Sequence, residues 1–187
     1  MMYSVDLRTV GLGVGLLLLV GHGLALWRFS DCGKWLRGFP RSRTAGTILV
    51  ALAGVWSFSL VWTMDLGEFA SLRKIMLLAI AAGSFLAWRY VEEFLAVRAL
   101  GMLALLAAEP VLEAAFLRPE ATRLLVVVLA YVWIVLGLFW VGMPWVMRDQ
   151  ISWLTAKRGR LLAVIWGGIA YGAVILGCAA FFWSAPQ

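Results

Sequence analysis

The sequence predicts an all-α, polytopic integral membrane protein of six transmembrane helices, arranged N-out and C-out. Three observations predict it. The 187 residues are 64% hydrophobic, with a mean hydropathy of +0.94, whereas a water-soluble domain is about 45–50% apolar. The apolar residues fall into six runs, each near the roughly 20 residues that a bilayer crossing takes. The loops between them are short, and most of the sixteen Lys and Arg gather in alternate loops. Six spans use up the length, so residues 1–187 read as a single membrane domain.

Span 1 covers about residues 9–27 and is rich in leucine and glycine. Arg8 ahead of an apolar run resembles the start of a secretory signal. The run continues to Leu26, though, and ends in a basic loop with no small-x-small cleavage site, so it reads as a retained helix. Gly11 and Gly15 are four residues apart and share one face, which lets a neighbouring backbone approach closely. The run GLGVG also matches part of a dinucleotide fingerprint. That motif needs a preceding strand, which a span does not supply.

The loop 29–43 carries Lys34, Arg37, Arg41 and Arg43 among Trp35, Leu36 and Phe39. Pro40 limits any helix there. Such a segment lies at headgroup level and attracts anionic lipid. Interfacial loops of this composition are the rule, so nucleic acid is not expected as a partner. Span 2 covers about 44–64, and Trp62 suits an interfacial belt. Span 3 covers about 72–90. The stretch from Ile75 to Trp88 rises only about 21 Å, short of a ~30 Å hydrocarbon core, so Lys74 and Arg89 are expected to snorkel.

Span 4 covers about 98–117 and span 5 about 123–145, ending at Gly142 and Pro144. A second basic loop follows, with Arg148, Lys157, Arg158 and Arg160. Within it Ile151, Trp153 and Leu154 suggest a short interfacial helix and a second contact with anionic headgroups. Span 6 covers about 161–183, with Gly168 and Gly172 on one face. If the loop after span 1 is cytoplasmic, eleven of the sixteen basic residues face that side and five the other. This bias sets the N-out, C-out orientation, and compact loops with a basic face suit a bacterial inner membrane. The two halves of the chain show no convincing internal repeat of the kind that transporters carry.

Chemistry concentrates in span 4. Glu109 and Glu113 lie four apart on one helical face, with Pro110 between them. A charge at mid-bilayer costs about 2.5–3.5 kcal/mol, while each Leu returns about 0.3–0.6. Two carboxylates therefore nearly cancel the span's apolar gain. They need protein neighbours, water or protons. Pro110 removes the bond to the Leu106 carbonyl and should kink the helix. Two acids beside a free carbonyl form a candidate proton or cation site. The plainer reading pairs Glu113 with Arg118 or Arg123.

His22 is the sole histidine, which excludes a bis-histidine haem or multi-histidine metal site in one copy. It remains a candidate proton carrier, set against simple packing with one hydrogen bond. In YVEEFLAVR, Glu92, Glu93 and Arg98 resemble the EExxxR signature of the membrane-embedded CAAX-protease-like family. The spacing is one residue too long, and the further histidines of that family are lacking. No serine-hydrolase elbow, phosphate loop or zinc motif is present. Cys32 and Cys178 fall on opposite sides of the topology and should not pair.

These residues support an expected function of a non-catalytic subunit or scaffold of a membrane assembly, as a homo- or hetero-oligomer. A proton- or cation-coupled transporter or channel subunit built on Glu109 and Glu113 is the alternative. A membrane enzyme is third. No catalytic residue, metal or cofactor is assigned.

Overall fold

The computed structural model describes residues 5–91 and 93–183. Glu92 of the acidic pair and the terminal SAPQ lie outside them. Among the described residues the secondary structure is helical, with no strand. In chain order the α-helices are α1 Leu7–Trp27, α2 Phe29–Gly38, α3 Arg43–Thr63, α4 Arg73–Tyr90, α5 Leu95–Ala115, α6 Leu124–Gly142, α7 Trp145–Thr155 and α8 Arg158–Phe181. Six helical stretches are long and apolar enough to cross a membrane, which fits an integral membrane protein.

Local chemistry explains the boundaries. Ser42 starts α3, its hydroxyl accepting from the Ala45 amide at 3.2 Å. The α6 helix stops at Gly142, just before Pro144, because proline disfavours helical geometry in the residue ahead of it. The loop after α1 departs from expectation. Residues Phe29–Gly38 form a helix with charged and apolar sides, and Pro40 enters only in the following 3-10 turn, Phe39–Arg41. The third span is also longer than expected. A 3-10 turn at Gly67–Leu72 precedes α4, so the apolar helical stretch extends over Gly67–Tyr90, 24 residues. The α5 helix runs without a break through Pro110.

The described contacts divide into two compact units. The first draws on Met1–Arg37, Ala107–Ile134 and Asp149–Gln187. Its centre is the antiparallel pair of α1 and α8. A Cβ at Gly11 would overlap the Trp183 ring, one at Gly15 would meet the Gly172 carbonyl oxygen at 3.1 Å, and one at Gly172 would meet the Leu18 Cβ at 2.9 Å. Glycine at these positions lets the two backbones touch. Leu7, Val14, Ile175 and Ala179 then bury against Val111 and Ala115 of α5 and Val126 and Ala130 of α6.

The second unit draws on Gly38–Leu106 and Val135–Arg148. Here α3 packs on α4, and Val50, Leu95 and Ala99 form a small core. The first half of α5 meets the second half of α6 at another glycine pair. A Cβ at Gly101 would lie 2.8 Å from the Gly137 carbonyl oxygen, and one at Gly137 would lie 2.9 Å from that of Gly101. An open cleft of about 340 Å³ runs between α3 and α4, lined by Val50, Gly54, Phe58, Ser59, Ile80 and Ser84.

Candidate functional site

The α5 helix is the most enclosed of the spans. Of its most apolar 18-residue window, 39% is buried, against 6–28% in the other five. Glu109 and Glu113 lie on its second half and are each half-buried, beside the buried Ala108, Val111 and Ala114. Because α5 runs from Leu95 to Ala115, Glu109 stands about 9 Å short of the helix end at about 1.5 Å per residue. Glu113 is in the last turn. Pro110, inside the helix, has no amide hydrogen to donate to the Leu106 carbonyl.

The two arginines offered as partners of Glu113 make other bonds. Arg118 forms an ion pair with Asp6, which precedes α1. Asp6 stands at the N-cap position of α1 but makes no side-chain capping bond there; its carboxylate takes the guanidinium instead. Arg123 donates from Nη1 to the Ala115 carbonyl at 2.9 Å, satisfying one of the open carbonyls that every helix C-terminus leaves. Glu113 has an interaction of its own.

Two further bonds close the same end of the first unit. Trp183 Nε1 donates to Thr122 Oγ1 at 2.8 Å, and the Tyr171 hydroxyl donates to the Leu125 carbonyl at 2.8 Å. Together with the ion pair they fasten the start of α1, the α5–α6 connection and the end of α8. Glu120 lies in that connection with a buried carboxylate oxygen, Oε2, that has no hydrogen-bond partner among the described residues. Sequence reasoning passed over Asp6, Glu120, Thr122 and Trp183, since each is unremarkable in its local stretch. The pairing of residues from opposite chain ends leaves no local signal.

His22 sits elsewhere. Its Nδ1 bonds the Leu18 carbonyl of its own helix at 2.9 Å, and its ring occupies the space a side chain at Gly168 would need. It lies about 24 Å along α1 from Asp6 at the helical rise. Among the described residues no cluster of three or more His, Cys, Asp or Glu could hold a metal ion, so His22, Glu109 and Glu113 do not form one. The glycine candidates Gly11, Gly15, Gly168 and Gly172 all lie in the α1–α8 contact, and so they face each other's helices within one chain.

The basic candidates lie on the two short helices, in the 3-10 turn, and at the starts of α3 and α8. Lys34 and Arg37 are on α2, Arg41 is in the 3-10 turn, Arg43 begins α3, Arg148 is on α7, and Lys157, Arg158 and Arg160 surround the start of α8. Cys32, on α2, and Cys178, near the end of α8, are both free. Burial pushes the Cys32 thiol above its ordinary pKa. No protein-family model, curated protein or solved structure matches this chain.

Proposed function

We propose that the chain is a non-catalytic membrane component, a small subunit or scaffold that associates with a further transmembrane helix. The observation that carries this reading is the uncovered state of α4. Only 6% of its apolar window is buried, the lowest of the six. Its exposed residues include the small side chains Ala79, Ala82 and Gly83, and nothing lies within 4 Å of a Cβ placed at Gly83. Small residues three and four apart favour close helix association in lipid. The faces of α1 and α8 that carry Gly11, Gly15, Gly168 and Gly172 cannot supply that surface, because they are closed on one another. We also read the chain as N-out and C-out in a bacterial inner membrane, on the strength of the basic-loop bias.

The test is the assembly state of the full chain in mild detergent and in nanodiscs. The expected result is a stable oligomer, or co-purification with a second membrane protein, that Gly83→Leu weakens by at least tenfold in dissociation constant, about 1.4 kcal/mol. A monodisperse monomer that captures nothing from its native membrane overturns the reading.

The second reading, a proton- or cation-coupled transporter or channel subunit, draws support from the two half-buried carboxylates on the most enclosed span. Glu109→Gln should then abolish cation- or pH-driven flux in liposomes while the helical content stays intact. Wild-type flux in both Glu109→Gln and Glu113→Gln removes it.

A further inference from the structure

We propose that the two basic segments of the first unit form one site for the phosphate of an anionic lipid headgroup. In sequence these segments are more than a hundred residues apart; in the structure they meet. Arg158, the first residue of α8, places its guanidinium 5.2 Å from the ring centre of Phe29, the first residue of α2. Gly33 of α2 lies against Thr155 of α7, within 3.9 Å of a Cβ built there. Exposed Arg28, Lys34, Arg37, Lys157 and Arg158 therefore share one end of the α1–α8 pair with half-buried Arg160.

The way the arginines are held points to an anion. Arg28 lies 5.5 Å from the ring centre of Trp27, Arg158 is seated on Phe29, and Arg160 lies 4.3 Å from that of Trp153. Arg160 also donates to the Trp153 carbonyl at 3.1 Å. An aromatic face fixes a guanidinium without neutralising it, and leaves N–H groups for a phosphate oxygen. None of the six cations has a carboxylate partner among the described residues. The acids on the same elements are Asp31 and Asp149, and Asp149 already has an interaction. The first turn of α8 also contains no acid, and its N-cap Lys157 makes no capping bond. Basic residues at a helix N-terminus oppose its dipole, and a bound anion relieves both charges.

The lipid source follows from location. Both segments directly flank apolar spans, and Phe29, Trp35 and Trp153 on the same elements suit the headgroup layer. This assignment is independent of the helix-association reading above, since none of its six cations lies on α4.

The test is native mass spectrometry of the full chain, delipidated in detergent and titrated with phosphatidylglycerol or phosphatidylcholine. The expected result is retention of phosphatidylglycerol at least tenfold tighter than of phosphatidylcholine, lost by about tenfold or more in Arg37→Gln/Lys157→Gln/Arg158→Gln. Arg158→Lys should weaken binding by less than the triple variant, because it keeps the charge but loses the fork and its ring seat. The control removes equal charge elsewhere, in Arg8→Gln/Lys74→Gln/Arg89→Gln, and should retain the lipid as wild type does. Circular dichroism must show the same helicity for every variant compared. Equal loss in the control would reduce the effect to diffuse charge and overturn the site. Displacement by equimolar inorganic phosphate, or tighter binding of an RNA oligonucleotide, would overturn the lipid assignment.

Discussion

At the scale of single residues, glycine acts in two opposite ways along α8. Gly172 is in backbone contact with α1, whereas nothing lies within 4 Å of a Cβ at Gly177. Alanine at position 172 would press on Leu18 and on the Gly15 carbonyl, and forced packing of this kind costs about 1–3 kcal/mol. Alanine at 177 meets open space and gains about 0.5–1 kcal/mol of helix propensity. The two substitutions should therefore move stability in opposite directions in an SDS-unfolding titration. A common sign would show that the α1–α8 contact is not what the geometry describes. Spacing in the sequence sets Gly172 beside Gly168 on one face, but only the facing helix shows what a side chain there would meet. Gly168 is similar: its partner, the His22 ring, makes its missing Cβ necessary.

Elements end where local chemistry stops them, and one ending carries strain. Leu117, just after α5, has φ +55° and is 80% exposed. A left-handed conformation costs an L-residue roughly 1–2 kcal/mol, and glycine is the usual occupant of that position. Leu117→Gly should raise unfolding stability by about 1 kcal/mol, because almost no packing is lost. A decrease would mean that the Leu117 side chain contributes more to stability in the bilayer than its exposure implies. The spans themselves were legible from run length and turn residues. Less legible were α2, hidden by the proline two residues past its end, and the 3-10 extension ahead of α4. The charged residues Glu68, Arg73 and Lys74 broke the apolar run there, although the backbone keeps winding. The ties of the α5–α6 connection were not legible at all. Arg118 is 112 residues from Asp6, and Thr122 is 61 from Trp183.

For the whole molecule, the question is which way the chain threads the bilayer. The proposed N-out, C-out reading, which rests on charge bias, would put α2, and with it Cys32, on the cytoplasmic side. In intact cells a membrane-impermeant maleimide should leave Cys32 unlabelled, and permeabilisation should expose it. Labelling in intact cells would invert the topology. The pH dependence gives a second check. Burial favours the neutral thiol, so the pKa is raised, and the reactive thiolate appears only at higher pH than for an ordinary cysteine. After permeabilisation the labelling rate at pH 8 should therefore fall below that of a free cysteine model and catch up only as pH rises further. A rate equal to the free thiol at pH 8 would show that Cys32 is not shielded.

Composition and periodicity alone determined that this protein is helical, how many helices are long and apolar enough to cross a bilayer, and roughly where each begins. Those properties belong to consecutive residues, and water and lipid sort them without reference to any partner. The tertiary structure decided which glycines touch, that Arg118 takes Asp6 and leaves Glu113 to another interaction, and that Arg158 of the second basic segment rests on the Phe29 ring of the first. These are contacts between residues far apart in the chain. Their energies depend on distances that no run of neighbours fixes, because a guanidinium or a bare backbone accepts many partners until packing leaves it one.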